Sequence, residues 1–225
     1  MKKYAVIVAG GSGSRMRSEL PKQFLTLGNE PVIARTIRKF QAYADQIVVV
    51  VPEARMELWL QLKNVYFPNL ALLTTSGGDT RTRSVKNGLA LIGGEGLVAI
   101  HDAARPLVDG AGIEESYRQA EMTGSGVLAV PLKDSIRKWE GTIAASRDRT
   151  HYMLMQTPQT FQLELLKKAY ECIADECFTD DASVFEAAGH AIQLVEGTYE
   201  NIKITTPEDL FVAEAILKYQ SEKPV

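Results

Sequence analysis

The chain has 225 residues, 45% of them hydrophobic, which is enough to bury one substantial α/β core. Its 25 Lys and Arg against 28 Asp and Glu leave a formal net charge of −3, without the broad basic surface that neutralises a nucleic-acid backbone. No stretch approaches the roughly 20 apolar residues of a membrane-spanning helix, so a cytoplasmic protein with neither nucleic-acid nor membrane partners is expected.

The apolar run Tyr4–Ala9, behind Met1-Lys2-Lys3, ends in a glycine cluster and reads as a first β-strand, too short for the core of a signal peptide. Further strands are expected at Gln46–Val51, Leu70–Thr74, Leu97–His101, Gly126–Leu132, Ala191–Val195 and Ile202–Thr205. Between the first two, Val32, Ile33, Thr36, Ile37 and Phe40 share one helical face over Pro31–Tyr43, with Pro31 suited to the first turn. Thr206 is placed to cap a last helix opening at Pro207. Continuous hydrophobicity, as in Ile47–Val51, implies strands covered on both faces. The fold expected is a single α/β domain over 1–225, a Rossmann-like, doubly wound, mostly parallel sheet. Residues 133–152 break the rhythm: Ile136, Trp139 and Ile143 flank a Glu140-Gly141 turn without a helical stripe. They read as a protruding β-hairpin arm. Since an isolated hairpin is only marginally stable in water, packing on a second subunit would steady it, although a plain surface hairpin fits the pattern as well. The two cysteines, Cys172 and Cys177, fall in what reads as one helix with diverging side chains, and are expected as reduced thiols.

Chemistry begins at the turn after the first strand. In Ala9-Gly10-Gly11-Ser12-Gly13-Ser14-Arg15-Met16 the glycines let backbone N–H groups face an anion at the strand ends, where open α/β sheets bind ligands. A tight connection would also explain them. A dinucleotide fingerprint would want glycine in place of Met16 and an acidic residue in place of Val51-Pro52; a Walker loop would want Gly-Lys-Ser/Thr before the helix. Arg15 and Lys22 are cations close enough in sequence to converge on one polyphosphate. After the strand Leu97–His101 stands Asp102, a hard carboxylate of the kind that Mg²⁺ takes alongside phosphate oxygens, though Asp after a strand also serves as a turn cap. His101 has no partner at ligand spacing and reads as structural.

These segments, with Pro21-Lys22-Gln23, Gly77-Gly78-Asp79, Arg83-Ser84-Val85, Asp102-Ala103-Ala104-Arg105-Pro106, Gln156-Thr157-Pro158-Gln159, Thr179-Asp180-Asp181-Ala182-Ser183 and Asn201-Ile202-Lys203, resemble the 2-C-methyl-D-erythritol 4-phosphate cytidylyltransferases over nearly the whole chain. The resemblance implies Mg²⁺-dependent CMP transfer from CTP to methylerythritol phosphate, with pyrophosphate released, in non-mevalonate isoprenoid biosynthesis. It also implies a homodimer hooked by the arm. Carried over position by position, Arg15 and Lys22 stabilise the transition state, with Lys203 and Arg149 at the reacting phosphates. Ala9, Gly10, Gly11, Gly13, Gly78, Asp79, Ser84 and Asp102 bind CTP, and Asp102 also takes the metal. Arg149, Arg105, Ser135, Thr157 and the partner subunit's Thr179 hold the acceptor. Gly10 stands where many relatives have Ala, Ser135 where Thr is frequent, and Ser14 where some carry a second basic residue. The alternatives are a ribitol-5-phosphate cytidylyltransferase, which shares the loop and Asn-Ile-Lys motifs, and a non-catalytic nucleotide-binding module, which has little use for Lys22, Asp102 and Lys203 together.

The chemistry itself asks for no general base. A phosphate monoester has a second pKa near about 6 and attacks as an anion already, which suits a chain with three scattered histidines. What is needed is neutralised charge and in-line positioning.

Overall fold

The apolar runs line up as the middle of one sheet. A computed structural model of the chain describes residues 1–10, 20–173 and 178–222. In chain order it contains β1 (Lys3–Val8), the short pair β2 (Thr26–Leu27) and β3 (Glu30–Pro31), α1 (Val32–Phe40), β4 (Gln46–Val51), α2 (Met56–Tyr66), β5 (Leu72–Ser76), α3 (Arg81–Ala90), β6 (Leu97–Asp102), α4 (Gly110–Thr123) and β7 (Ser125–Pro131). There follow β8 (Ile136–Glu140), β9 (Ile143–Arg147), β10 (Met153–Gln162), α5 (Leu163–Cys172), α6 (Asp181–Ala187), β11 (Leu194–Glu196) and α7 (Pro207–Glu222). The main sheet has the order β11-β7-β10-β6-β1-β4-β5.

Side chains alternate across that sheet into two cores. Ala5, Ile7, Val49 and Ala99 meet Ile33, Ile37, Phe40, Trp59, Ile113 and Tyr117 from α1, α2 and α4 on one face. Val6, Val50, Val98 and Ile100 meet Val85, Leu89, Leu166, Tyr170 and Phe185 from α3, α5 and α6 on the other. Both faces are covered, which is why β1, β4 and β6 read as unbroken apolar runs. Each aliphatic side chain so buried contributes about 1.5–3 kcal/mol against exposure. The doubly wound expectation holds.

Close packing sets the position of α3. Gly88 faces β1 and β4 so closely that a Cβ there would stand 2.6 Å from a Val6 methyl and 2.9 Å from a Val50 methyl. Only glycine lets this helix approach so near, and its first turn is thereby brought to the strand ends.

Several expectations are corrected. Residues 202–205 form no strand: the Ile204 N–H donates to the Ala104 carbonyl at 2.9 Å, but no ladder forms along the segment. Pro31 belongs to β3 and precedes α1, so it is not in the helix's first turn, and α1 stops at Phe40 short of Tyr43. The strand β10 was not expected at all, and it runs antiparallel between β6 and β7 in an otherwise parallel sheet. At the start of α7 the Asp209 carboxylate accepts from the Thr205 and Thr206 N–H groups, at 2.7 and 2.8 Å. The arm is a two-stranded sheet of its own, β8 with β9, narrower than 133–152 and followed by a 3-10 turn at Arg149–His151. Cys172, exposed, ends α5, while Cys177 lies outside the described residues.

Candidate active site

The carboxyl ends of β1, β4, β5 and β6 meet at one edge. Val8 pairs with Val50 and Asp102, and the chain continues the ladder as Ala9 N–H donates to Val50 and Gly77 N–H to Val51. The side-chain amide of Gln23 donates to the Ala9 carbonyl at 2.6 Å, which fastens the 3-10 turn Lys22–Phe24, and with it Lys22, against the end of β1. Ser84, buried on the first turns of α3, accepts from the Gly78 N–H at 3.1 Å and donates to the Thr80 carbonyl at 2.9 Å. A Cβ on Gly10 would stand 3.1 Å from the same Ser84 oxygen. The segments holding Gly10, Gly78 and Ser84 are thus in mutual contact, and Asp79 is exposed beside them.

Asp102 ends β6, 8% exposed, at the centre of a cluster of cations. Lys203 Nζ lies 2.8 Å from its Oδ2, Arg105 Nε 3.6 Å from the same oxygen, and Arg81 Nε 3.8 Å from Oδ1. Burial favours the neutral acid, but Arg81, Lys203 and Arg105 override it and hold the carboxyl well below the usual carboxylate range. The Asp102 N–H is taken by the Thr157 hydroxyl at 3.1 Å. Asn201 donates to the Thr157 carbonyl at 2.9 Å and its own carbonyl accepts from Arg105 at 2.8 Å, so the segment carrying Lys203 is tied to β10 and to Arg105. Thr36 of α1 donates to the Ala103 carbonyl at 2.8 Å and steadies the turn from the other side.

Of the residues expected at the site, the structure brings Asp102, Lys203, Arg105 and Thr157 together, and Ala9, Gly10, Gly78 and Ser84 along the adjoining edge. Arg105 is committed to Asp102 and the Asn201 carbonyl. Ser135 and Arg149 stand exposed at the root of the arm, where the Arg149 guanidinium donates to the Lys133 carbonyl. Thr179 is exposed just before α6. Gly11, Gly13 and Arg15 lie outside the described residues. His101 is fully buried against Phe40; burial pushes it down to about 4, and the neutral ring donates from Nε2 to the Arg105 carbonyl at 3.0 Å. It is structural, as expected.

Sequence reading missed two charged residues. Arg81 Nη2 pairs with Asp181 Oδ2 at 2.6 Å, and the Tyr170 hydroxyl donates to Asp181 Oδ1, also at 2.6 Å. Asp181 sits inside a motif noticed as a block and Arg81 between two others, and no local spacing singles them out.

The comparisons with known proteins bear on this edge. The family model "IspD: 2-C-methyl-D-erythritol 4-phosphate cytidylyltransferase" matches residues 4–219. The chain belongs to that family. The IspD relative of Bacteroides fragilis is 44% identical over 219 residues, covering 96% of this chain and all of its own. That of Bacillus velezensis is 41% identical over 227 residues, 98% of each chain. The crystal structure of the IspD enzyme from Thermus thermophilus superposes with a TM-score of 0.82 at 30% identity, over 97% of this chain and 100% of the other. An IspD chain transfers a cytidylyl group from CTP to methylerythritol phosphate in isoprenoid biosynthesis. Among the described residues, no helix is long and apolar enough to cross a membrane.

Proposed function

We propose that the strand-end cleft performs this transfer with Lys22 and Arg15 on the α-phosphate, Lys203 at the reacting phosphates and Asp102 carrying Mg²⁺. The observation that carries the reading is the meeting of Asp102 and Lys203 at 2.8 Å, on the edge that also holds Gly10, Gly78 and Ser84. Mg²⁺ fits the donor set. Asp102 is an ionised hard-oxygen donor, and no group of three or more His, Cys, Asp or Glu lies together among the described residues. A metal would therefore be held by one carboxylate and by triphosphate oxygens, a mode that Mg²⁺ favours. When bound, it supplies charge neutralisation at those oxygens.

The chain's own residues do the rest. Backbone at Gly10 and Gly78 and the Ser84 hydroxyl hold the cytidine, with Asp79 beside them. Arg149, Ser135 and Thr157 receive the acceptor, whose phosphate oxygen attacks the α-phosphorus as pyrophosphate leaves on the opposite side. Its phosphate arrives as an anion, so no proton need be taken, and the buried, neutral His101 is not called upon. The dimer belongs to the same reading. Trp139 and Ile143 of the arm are 75% and 70% exposed, an apolar surface that a second subunit would cover, with Thr179 of the partner subunit completing the acceptor pocket. Cytoplasmic residence accords with a pathway enzyme that draws on nucleotide pools.

Pyrophosphate release tests the reading. It is expected with CTP, methylerythritol phosphate and Mg²⁺ together, and to stop when the metal is chelated. Preference for ribitol 5-phosphate would overturn the acceptor, and release undiminished by chelation would overturn the metal.

A further inference from the structure

We propose that Arg81 and Asp181 are positioning residues that fix the Asp102 carboxylate, and so set how strongly divalent metal assists CTP binding. The inference rests on Asp102 as the metal-bearing group.

Arg81 opens α3, and its guanidinium spans two carboxylates, Asp181 Oδ2 at 2.6 Å and Asp102 Oδ1 at 3.8 Å. Asp181 is the anchor. It is 0% exposed, its second oxygen accepts from Tyr170 at 2.6 Å, and its N–H donates to Gln159 Oε1 at 2.9 Å. Gln159 also accepts from the Ala182 N–H and donates to Asp180 Oδ2, both at 2.9 Å, and it lies on β10 paired with Ile100 of β6. Burial pushes the Tyr170 hydroxyl well above the usual phenol range, with Asp181 adding to the effect, so it remains a donor. Asp181 is therefore held from three sides and cannot follow Arg81.

The two oxygens of Asp102 have unlike neighbours in consequence. Oδ2 faces Lys203, whose side chain is 39% exposed, whereas Oδ1 faces a guanidinium whose shorter contact is to Asp181. A buried ion pair is weak evidence for stability, because desolvation offsets its attraction, so a charged triad kept at this depth points to orientation instead. Neutralising Asp181 would turn the full charge of Arg81 on Asp102, in competition with a metal ion. Replacing Arg81 by lysine would keep the charge but not the two-way reach.

Calorimetric titration of CTP into the full chain, without acceptor and over a series of Mg²⁺ concentrations, reads this directly. Wild type should bind CTP more tightly as Mg²⁺ rises. Asp181→Asn and Arg81→Lys should need about 10–100-fold more Mg²⁺ for the same gain, the range for partners that orient a metal ligand. Asp102→Ala should lose the dependence; a wild-type dependence there would overturn the reading of Asp102 itself. If Asp102→Ala loses it while Asp181→Asn and Arg81→Lys keep the wild-type midpoint, the positioning role is overturned. Leu89→Ala, which thins the same helix's packing without touching a charge, should leave the midpoint in place. A shift there as large as that of Asp181→Asn would mean general loosening of α3, and would also overturn it.

Discussion

Lys22 and Lys203 reach the strand ends by different routes, and their loss should be felt differently from that of Arg149. Lys22 sits in a short turn pinned to β1 through Gln23 and is largely buried, so its ammonium is preorganised. Lys22→Ala is expected to lower turnover by about a hundredfold or more, the scale for one preorganised electrostatic donor. Steady-state turnover checks it, and a variant within a few-fold of wild type would remove Lys22 from the role. Arg149 lies exposed at the arm's root, where it donates to the Lys133 carbonyl. Arg149→Ala should raise the KM for the acceptor while calorimetric CTP affinity stays within about twofold, a loss confined to one substrate. Asp102 was legible as a strand-end carboxylate because it follows an apolar run, at the sheet edge where ligands bind. Arg81 and Asp181 were not, because their meaning lies in a contact between α3 and α6 that no sequence spacing reveals.

At the scale of elements, hydrophobic continuity exposed the strands buried on both faces, and Gln46–Val51 was bounded correctly. β10 escaped for a physical reason. Its sequence is half polar and carries Pro158, which removes a donor and normally demotes a strand; here a register shift between Met155 and Gln159 takes up the irregularity. The opposite error befell 202–205, where Ile202 and Ile204 do pack with Leu27, Val32 and Leu107, yet among the described residues no strand pairs with them. Periodicity reports a buried face, not a hydrogen-bonded neighbour. The start of α6 carries a prediction of its own. Asp180 caps it, accepting from the Ser183 N–H at 3.0 Å. Burial alone would raise this carboxyl, but hydrogen bonds from Ser183 and Gln159 hold it below its ordinary value of 3.8. A depressed acid stabilises the fold fully above its unfolded pKa, and the contribution is lost as pH falls through the folded one. Asp180→Ala should thus cost about 1 kcal/mol at pH 7, with the gap to wild type closing below pH 3.8 in urea melts. A gap independent of pH would remove the carboxylate from the account.

For the whole molecule, the doubly wound, mostly parallel sheet followed from the alternation of strands and helices, whereas its strand order and the antiparallel direction of β10 did not. The arm was legible as an interruption of that alternation, and Trp139 and Ile143 stand exposed on it. Trp139→Asp is expected to shift the mass measured by light scattering from dimer toward monomer, and a dimer that persists unchanged would place the interface elsewhere.

Because β10 runs back against β6, with Met153 beside Pro131 at one end and Gln162 beside Leu97 at the other, the arm springs from the same rim of the sheet on which β6 deposits Asp102. In the proposed dimer, association and turnover would draw on that same rim. Specific activity should accordingly decline on serial dilution, by mass action alone, and recover on reconcentration.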